Sequence, residues 1–172
     1  FAIKHNIPVT QTVMGYSTMK RDHSHFLGPI GGLGGRAANN LAKETDLAIC
    51  VGTKLADFTT GSWANFENPE FKLVSINIAR HDANKHLAEA VIGDAKVCLS
   101  ELSNSLGNWK SPDSWHKKSQ DELKSWNEYV DKESGPTNQE TPNYAHAVGA
   151  IYRNSDPTDI AVTAAAVSYT HL

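Results

Sequence analysis

Residues 21–63 read RDHSHFLGPIGGLGGRAANNLAKETDLAICVGTKLADFTTGSW, and the order of events in them decides the fold class. A glycine-dense turn comes first, with Gly28, Gly31, Gly32, Gly34 and Gly35 close together. A helix with a small-residue face follows, running roughly Gly35 to Glu44. Ala37, Ala38, Leu41 and Ala42 supply the face that packs closely on a sheet. Asp46–Val51 is then a short apolar run ending at Gly52, the signature of a buried parallel strand with its ligand-facing loop at the carboxyl end. A glycine loop lets backbone N–H groups approach a ligand, and a helix N-terminus favours an anion.

Working outward, Phe1–His5 reads as a helix end, capped by Asn6, before a strand at Ile7–Thr12 whose Pro8 belongs near its start or at an edge. Met14–Lys20 is a polar turn. Thr53–Asn68 has no period; its Asp57, Thr59, Thr60, Ser62 and Asn65, mixed with Phe58, Trp63 and Phe66, suit a binding loop. Lys72–Ile78 alternates as a strand, Arg80–Asn84 turns, and Ala88–Ile92 is a strand ending at Gly93. Asp94 caps a helix through Leu106, with Val97, Leu99, Leu102 and Leu106 expected inside and Gly107 as terminator. Strands alternating with helices imply an α/β fold with a doubly wound parallel sheet over residues 1–107.

Composition shifts after that. Residues 108–140 read as a linker carrying an exposed helix at Trp115–Lys132, anchored by Trp115, Leu123, Trp126 and Val130. Residues 141–166 read as the start of a second α/β domain. Its helix is Asn143–Arg153, with an apolar stripe of Tyr144, Val148, Ile151 and Tyr152, and its first strand is Asp159–Thr163. The chain opens at the tail of a helix, so the first domain is expected to lack its opening βα unit. The sequence then reads as a piece of a longer protein, poorly soluble alone because a sheet edge and an apolar face would be bare.

The net charge of −3 argues against a nucleic-acid surface, and no apolar run reaches the ~20 residues of a membrane span. Cys50 and Cys98 sit in apolar settings, as buried free thiols do in a reducing compartment.

For chemistry, two readings of Gly31–Gly35 stand open: a phosphate or dinucleotide cradle, or a tight loop that seats a helix on a sheet. No Gly-Lys-Ser/Thr follows, and the sequence places no strand directly before the loop, so neither a P-loop nor a dinucleotide fingerprint is matched. Arg21, Asp22, His23 and His25 could suggest a metal or acid/base site, but no further ligand has a suitable spacing. A polar loop of hydrogen-bonded histidines is the simpler reading. Gly93-Asp94 is explained by helix capping, and His81, Asp82 and His86 by a solvated turn. No catalytic residue and no metal ligand is assigned.

The phrase GPIGGLGGRAANNLAKETDLAICVGTKLADFTTG, with FKLVSINIARHDANKH and AVIGDAKVCLSEL after it, resembles the central domain of thiamine-diphosphate-dependent enzymes of the acetolactate synthase type. VTQTVMGYSTMKRDH, TGSWANFENPEFKLVSIN and SDPTDIAVTAA are most similar to a branch of that family that opens a cyclic 1,2-diketone by C–C hydrolysis in inositol catabolism. The resemblance covers about residues 1–166.

It implies a three-domain cytoplasmic enzyme, a homodimer or homotetramer, using thiamine diphosphate and Mg2+ held by domains outside this chain. The central domain would act as a scaffold, with a vestigial nucleotide pocket at Gly31, Gly32, Gly34, Gly35, Gly52, Thr53 and Asn77. Relatives that bind FAD carry an arginine near Lys54 and an acidic residue near Asn77, so these two departures weaken a flavin reading. The tail Val167–Leu172 departs from the family's glycine-rich continuation and reads as an artefactual end. The rival readings are a flavin-carrying carboligase and a free-standing nucleotide-binding module without catalysis.

Overall fold

A computed structural model describes residues 1–156, 158–160 and 162. The expected strand at Asp159–Thr163 and the tail at Val167–Leu172 lie wholly or partly outside the described residues. Two compact units divide the chain, Phe1–Asn127 and Glu128–Leu172.

The first unit is α/β, in the order α1 (Ala2–His5), β1 (Val9–Gln11), β2 (Phe26–Pro29), α2 (Arg36–Glu44), β3 (Leu47–Val51), α3 (Asp57–Thr60), β4 (Lys72–Asn77), α4 (Arg80–Ala83), β5 (Glu89–Ile92) and α5 (Ala95–Leu106). A longer helix, α6 (Asp113–Glu133), passes from the first unit into the second. All pairings between described strands are parallel, in two sections. One is β1-β2, with a register irregularity between Val9 and Gln11; the other is β3-β4-β5 in sequence order. Among the described residues β3 has no partner on its outer side, and its Leu47 and Val51 are 46 % and 37 % exposed.

The core lies where β2 meets α2. Leu27 and Ile30 pack against Ala38, Leu41 and Ala42, with Phe66 and Trp115 closing over them. The small face of α2 was legible, because alanines at this spacing bring the helix axis close to the strand. Leu27 is 1 % exposed and Ala37 and Ala38 are fully buried. Trp115, expected as an anchor of the long helix, brings α6 onto this core, and Lys118 pairs with Glu44 at its edge.

Four expectations need correction. A strand does precede the glycine loop directly: β2 runs to Pro29, and its Gly28-Pro29 end disguised it as a turn. α3 and α4 are single helical turns where the sequence suggested aperiodic loop and turn. Val97 is 59 % exposed rather than inside α5. Leu99, Leu102 and Leu106 are spaced by three and four and share a stripe, whereas Val97 falls nearly opposite Leu99. Asp94 does cap α5, accepting from the Val97 N–H at 3.0 Å.

In the second unit, α7 (Tyr144–Asn154) begins with a capping box between Asn143 and His146. Gly149 lets it approach the Ser134 backbone, and Arg153 donates to the Ser134 carbonyl at 2.6 Å. Its Tyr144, Val148, Ile151 and Tyr152 form the expected stripe, exposed among the described residues.

Candidate functional site

Parallel strands deliver their carboxyl ends to one side, and crevices for ligands form there. β3 runs out into Gly52-Thr53, β4 ends at Asn77 and β5 leads into Gly93-Asp94. Hydrogen bonds join these ends. The Gly52 N–H donates to the Ile76 carbonyl at 2.9 Å, and the Gly93 N–H to the Asn77 carbonyl at 3.2 Å. The buried Asn77 side chain donates from Nδ2 to the Thr53 carbonyl at 3.2 Å and accepts the Ala79 N–H on Oδ1 at 2.9 Å. Gly52, Thr53 and Asn77 are therefore brought together. Gly52 (φ 64°) faces open space, with no heavy atom within 4 Å of where a Cβ would stand.

The glycine loop is differently occupied. Gly31 N–H donates to Asn39 Oδ1 at 2.9 Å, and Gly32 N–H to the Phe58 carbonyl at 2.7 Å. Gly34 N–H reaches the Gly31 carbonyl at 2.9 Å, and Gly35 N–H the Pro29 carbonyl at 2.8 Å. These four amides are committed inside the protein. A Cβ on Gly31 would run into the Phe58 carbonyl, and one on Gly35 would meet the Trp126 indole nitrogen at 3.0 Å. The start of α2 is thus roofed by Trp126, over which the Arg36 guanidinium lies at 5.7 Å. Of the two readings left open, this geometry supports the tight loop that seats a helix. The loop and the strand ends communicate through residues 53–60, which leave the Gly52-Thr53 turn and finish as α3 against Gly31 and Gly32.

Residues 1–102 match the family model for the thiamine pyrophosphate enzyme central domain. The chain belongs to that family. Over 106 residues, 62 % of the chain, it is 46 % identical to a 3D-(3,5/4)-trihydroxycyclohexane-1,2-dione hydrolase of Clostridium perfringens. It is 39 % identical over 132 residues, 77 % of the chain, to the enzyme so named in Clostridium botulinum. A Bacillus cereus enzyme of that name is 46 % identical over 106 residues. The aligned parts amount to 17 %, 20 % and 16 % of those relatives, so the chain spans about a fifth of their length or less.

Within this central domain the other sequence-flagged groups scatter. His23 and His25 sit on one turn, where the His25 N–H donates to His23 Nδ1 at 3.1 Å and His25 also bonds Ser24 and Asn6, as the hydrogen-bonded reading expected. Asp82 pairs with Lys85 at 2.6 Å, and the Lys85 hydrogen bond holds its carboxyl below the usual range. His86 is more than a solvated turn residue: its Nε2 donates to the Leu55 carbonyl at 3.2 Å and its ring stands edge-on to Trp63 at 4.4 Å. Cys50 and Cys98 are free and partly shielded. Burial pushes the Cys50 thiol up to about 12, so it stays protonated at neutral pH and is a poor nucleophile.

The central domain's described residues do not fit a diphosphate–metal site. No three His, Cys, Asp or Glu side chains among them are grouped to hold a metal, and the glycine-loop amides are already bonded. Two features escaped the sequence reading. Asn39 braces the loop, accepting from Asn65 Nδ2 at 3.2 Å as well as from Gly31, and donating to the Gly31 carbonyl at 3.0 Å. Fully buried His5 donates from Nδ1 to the Trp109 carbonyl at 2.8 Å and accepts the Ser103 hydroxyl on Nε2 at 2.8 Å.

Proposed function

We propose that this chain is the central-domain part of a thiamine-diphosphate-dependent hydrolase. The full protein would cleave a C–C bond of the cyclic 1,2-diketone trihydroxycyclohexane-dione to give 5-deoxyglucuronic acid in inositol catabolism. The observation that carries this is the 39–46 % identity, through the central region, to relatives bearing that hydrolase name. Thiamine diphosphate, when bound, supplies a carbon nucleophile for a carbonyl; the reading places its ligands and those of Mg2+ on other domains. Here the chain's residues do mechanical work. Asn77 fixes the ends of β3 and β4, while Asn39 and the glycines hold α2 and α3 together. A vestigial nucleotide pocket is then confined to Gly52, Thr53 and Asn77, while Gly31, Gly32, Gly34 and Gly35, their amides already bonded, seat α2. The protein would be cytoplasmic and homo-oligomeric. No helix of the described residues is long and apolar enough to cross a membrane.

The test is an assay of the full-length protein with the cyclic diketone, with and without thiamine diphosphate and magnesium. Ring opening that requires the cofactor is the expected result. Condensation of pyruvate instead, with flavin absorbance in the purified protein, would replace the hydrolase by a carboligase. Tight binding of NAD or FAD without turnover of either substrate would favour a binding module.

A further inference from the structure

Away from the strand ends, His25, on the turn before β2, and His116, in the first turns of α6, stack face to face. Their ring centroids lie 4.2 Å apart with planes 18° from parallel. His23 stands edge-on to His25 at 5.8 Å. His25 is only 6 % exposed, and the Nδ1 of His116 is buried with no hydrogen-bond partner. The hydrogen bonds define the tautomer of His25 when its ring is neutral. Asn6 spends its Nδ2 on the Ser111 carbonyl and Asp113, so its Oδ1 must accept from His25 Nε2–H, at 3.3 Å. The lone pair of His25 Nδ1 is then left to accept the Ser24 hydroxyl at 2.9 Å. His23 Nδ1 likewise accepts, from the His25 N–H. A proton on His25 Nδ1 would reverse the Ser24 contact, the hydroxyl then accepting, and would place a cation in a buried stack against His116 and beside His23.

The same turn is tied to α6 by Gln120 Nε2, which donates to the Ser24 carbonyl at 2.7 Å. We propose that the His25–His116 stack is a proton-operated clasp, holding the first turns of α6 on the His23–His25 turn near neutral pH and letting them part in mild acid. The titratable groups around His25 are His23 on its own turn, His116 on α6 and, one hydrogen bond away through Asn6, Asp113. The two histidines repel a proton on His25, whereas Asp113, beyond a neutral amide, offsets only part of that.

Burial, then His116 and His23, hold His25 below the ordinary imidazole range. The sign follows from linkage: the parted state binds protons more readily than the closed one. The clasp is at full strength above the ordinary histidine value of about 6.5, and is lost as pH falls below it toward the lowered value in the closed state.

Hydrogen exchange of the full-length protein, corrected for intrinsic rates, tests this. Between about pH 7.5 and 5.5, protection of residues 113–122 should fall, by up to about tenfold, since one proton taken up with an ordinary value of about 6.5 shifts the equilibrium by no more than that over this range. Residues 72–77 should not follow. In the double variant His25→Gln/His116→Phe the change should shrink to about twofold or less. His116→Phe alone keeps an aromatic stack and breaks no hydrogen bond of His25. It should move the NMR titration midpoint of His25 up toward the ordinary value, a readout that survives if the double variant folds poorly. Unchanged acid sensitivity in the double variant, none in the parent protein, or an unmoved His25 midpoint would each overturn the clasp.

Discussion

Replacing Gly31 by alanine is expected to cost the protein about 4 kcal/mol or more, a large fraction of a typical domain's stability. Two effects add. The residue sits at φ 108°, a conformation that L side chains rarely adopt, and its new Cβ would be driven into the Phe58 carbonyl and the Thr59 Cα at 2.9 Å. Those atoms are backbone and cannot swing aside, so relief requires moving α3 away and giving up the Gly32–Phe58 hydrogen bond. Gly28 provides the control. It too has a positive φ, 92°, yet no heavy atom lies within 4 Å of where its Cβ would stand. Gly28→Ala should therefore carry strain alone, about 1–2 kcal/mol. Urea denaturation of both variants separates the terms. Equal losses would mean that the approach of α3 to the loop contributes nothing.

The second large effect is expected at Asn39. Alanine there strips the partner from the Gly31 N–H and from Asn65 Nδ2, while the Gly31 carbonyl loses one donor and keeps the Gly34 N–H. Gly31 and Asn65 are buried, and each polar group left without a partner costs about 1–3 kcal/mol, so a loss of about 3 kcal/mol is expected. Asn39→Asp should lose less. It keeps both accepting interactions and places a negative charge near the N-terminal end of α2, though it can no longer donate to Gly31. A double-mutant cycle with Asn65→Ala should show coupling of about 0.5–3 kcal/mol, because the two side chains belong to one network. An Asn39→Ala protein that melts with the parent would show that the brace is redundant.

What the sequence disclosed follows from the range of each interaction. The helix at Arg36–Glu44, the strands ending at Val51, Asn77 and Ile92, and the Asp94 cap are written in local spacing, and the structure has them within a residue or two. β2 was hidden because Gly28 and Pro29 carry turn chemistry, and only its pairing with β1 makes Phe26–Pro29 a strand. The short helices α3 and α4 have too few residues to show a period. Of the candidate site, the meeting of Gly52, Thr53 and Asn77 was accessible, since each ends or follows a predicted strand. The occupation of the glycine-loop amides was not, because their acceptors include Phe58 and Asn39, which local pattern does not link to the loop. Nor were the contacts of His5 with Ser103 or His25 with His116, which join opposite ends of the first unit.

The strand order β3-β4-β5 also has a consequence for the time course of synthesis. β4 pairs with β3, and β5 with β4, so within the section each new strand meets the one made just before it and can close its contacts as the chain leaves the ribosome. The core around Leu27 cannot, because it waits for Trp115 to close over it. An emerging chain therefore holds a finished sheet section beside an uncovered apolar helix face. A chain arrested when it has emerged from the ribosome only as far as residue 114 should leave Leu41 and Ala42 protease-accessible while Leu73–Ile76 is already protected, and the reverse order would refute this sequence of events. For that interval the polypeptide is a natural client for a chaperone.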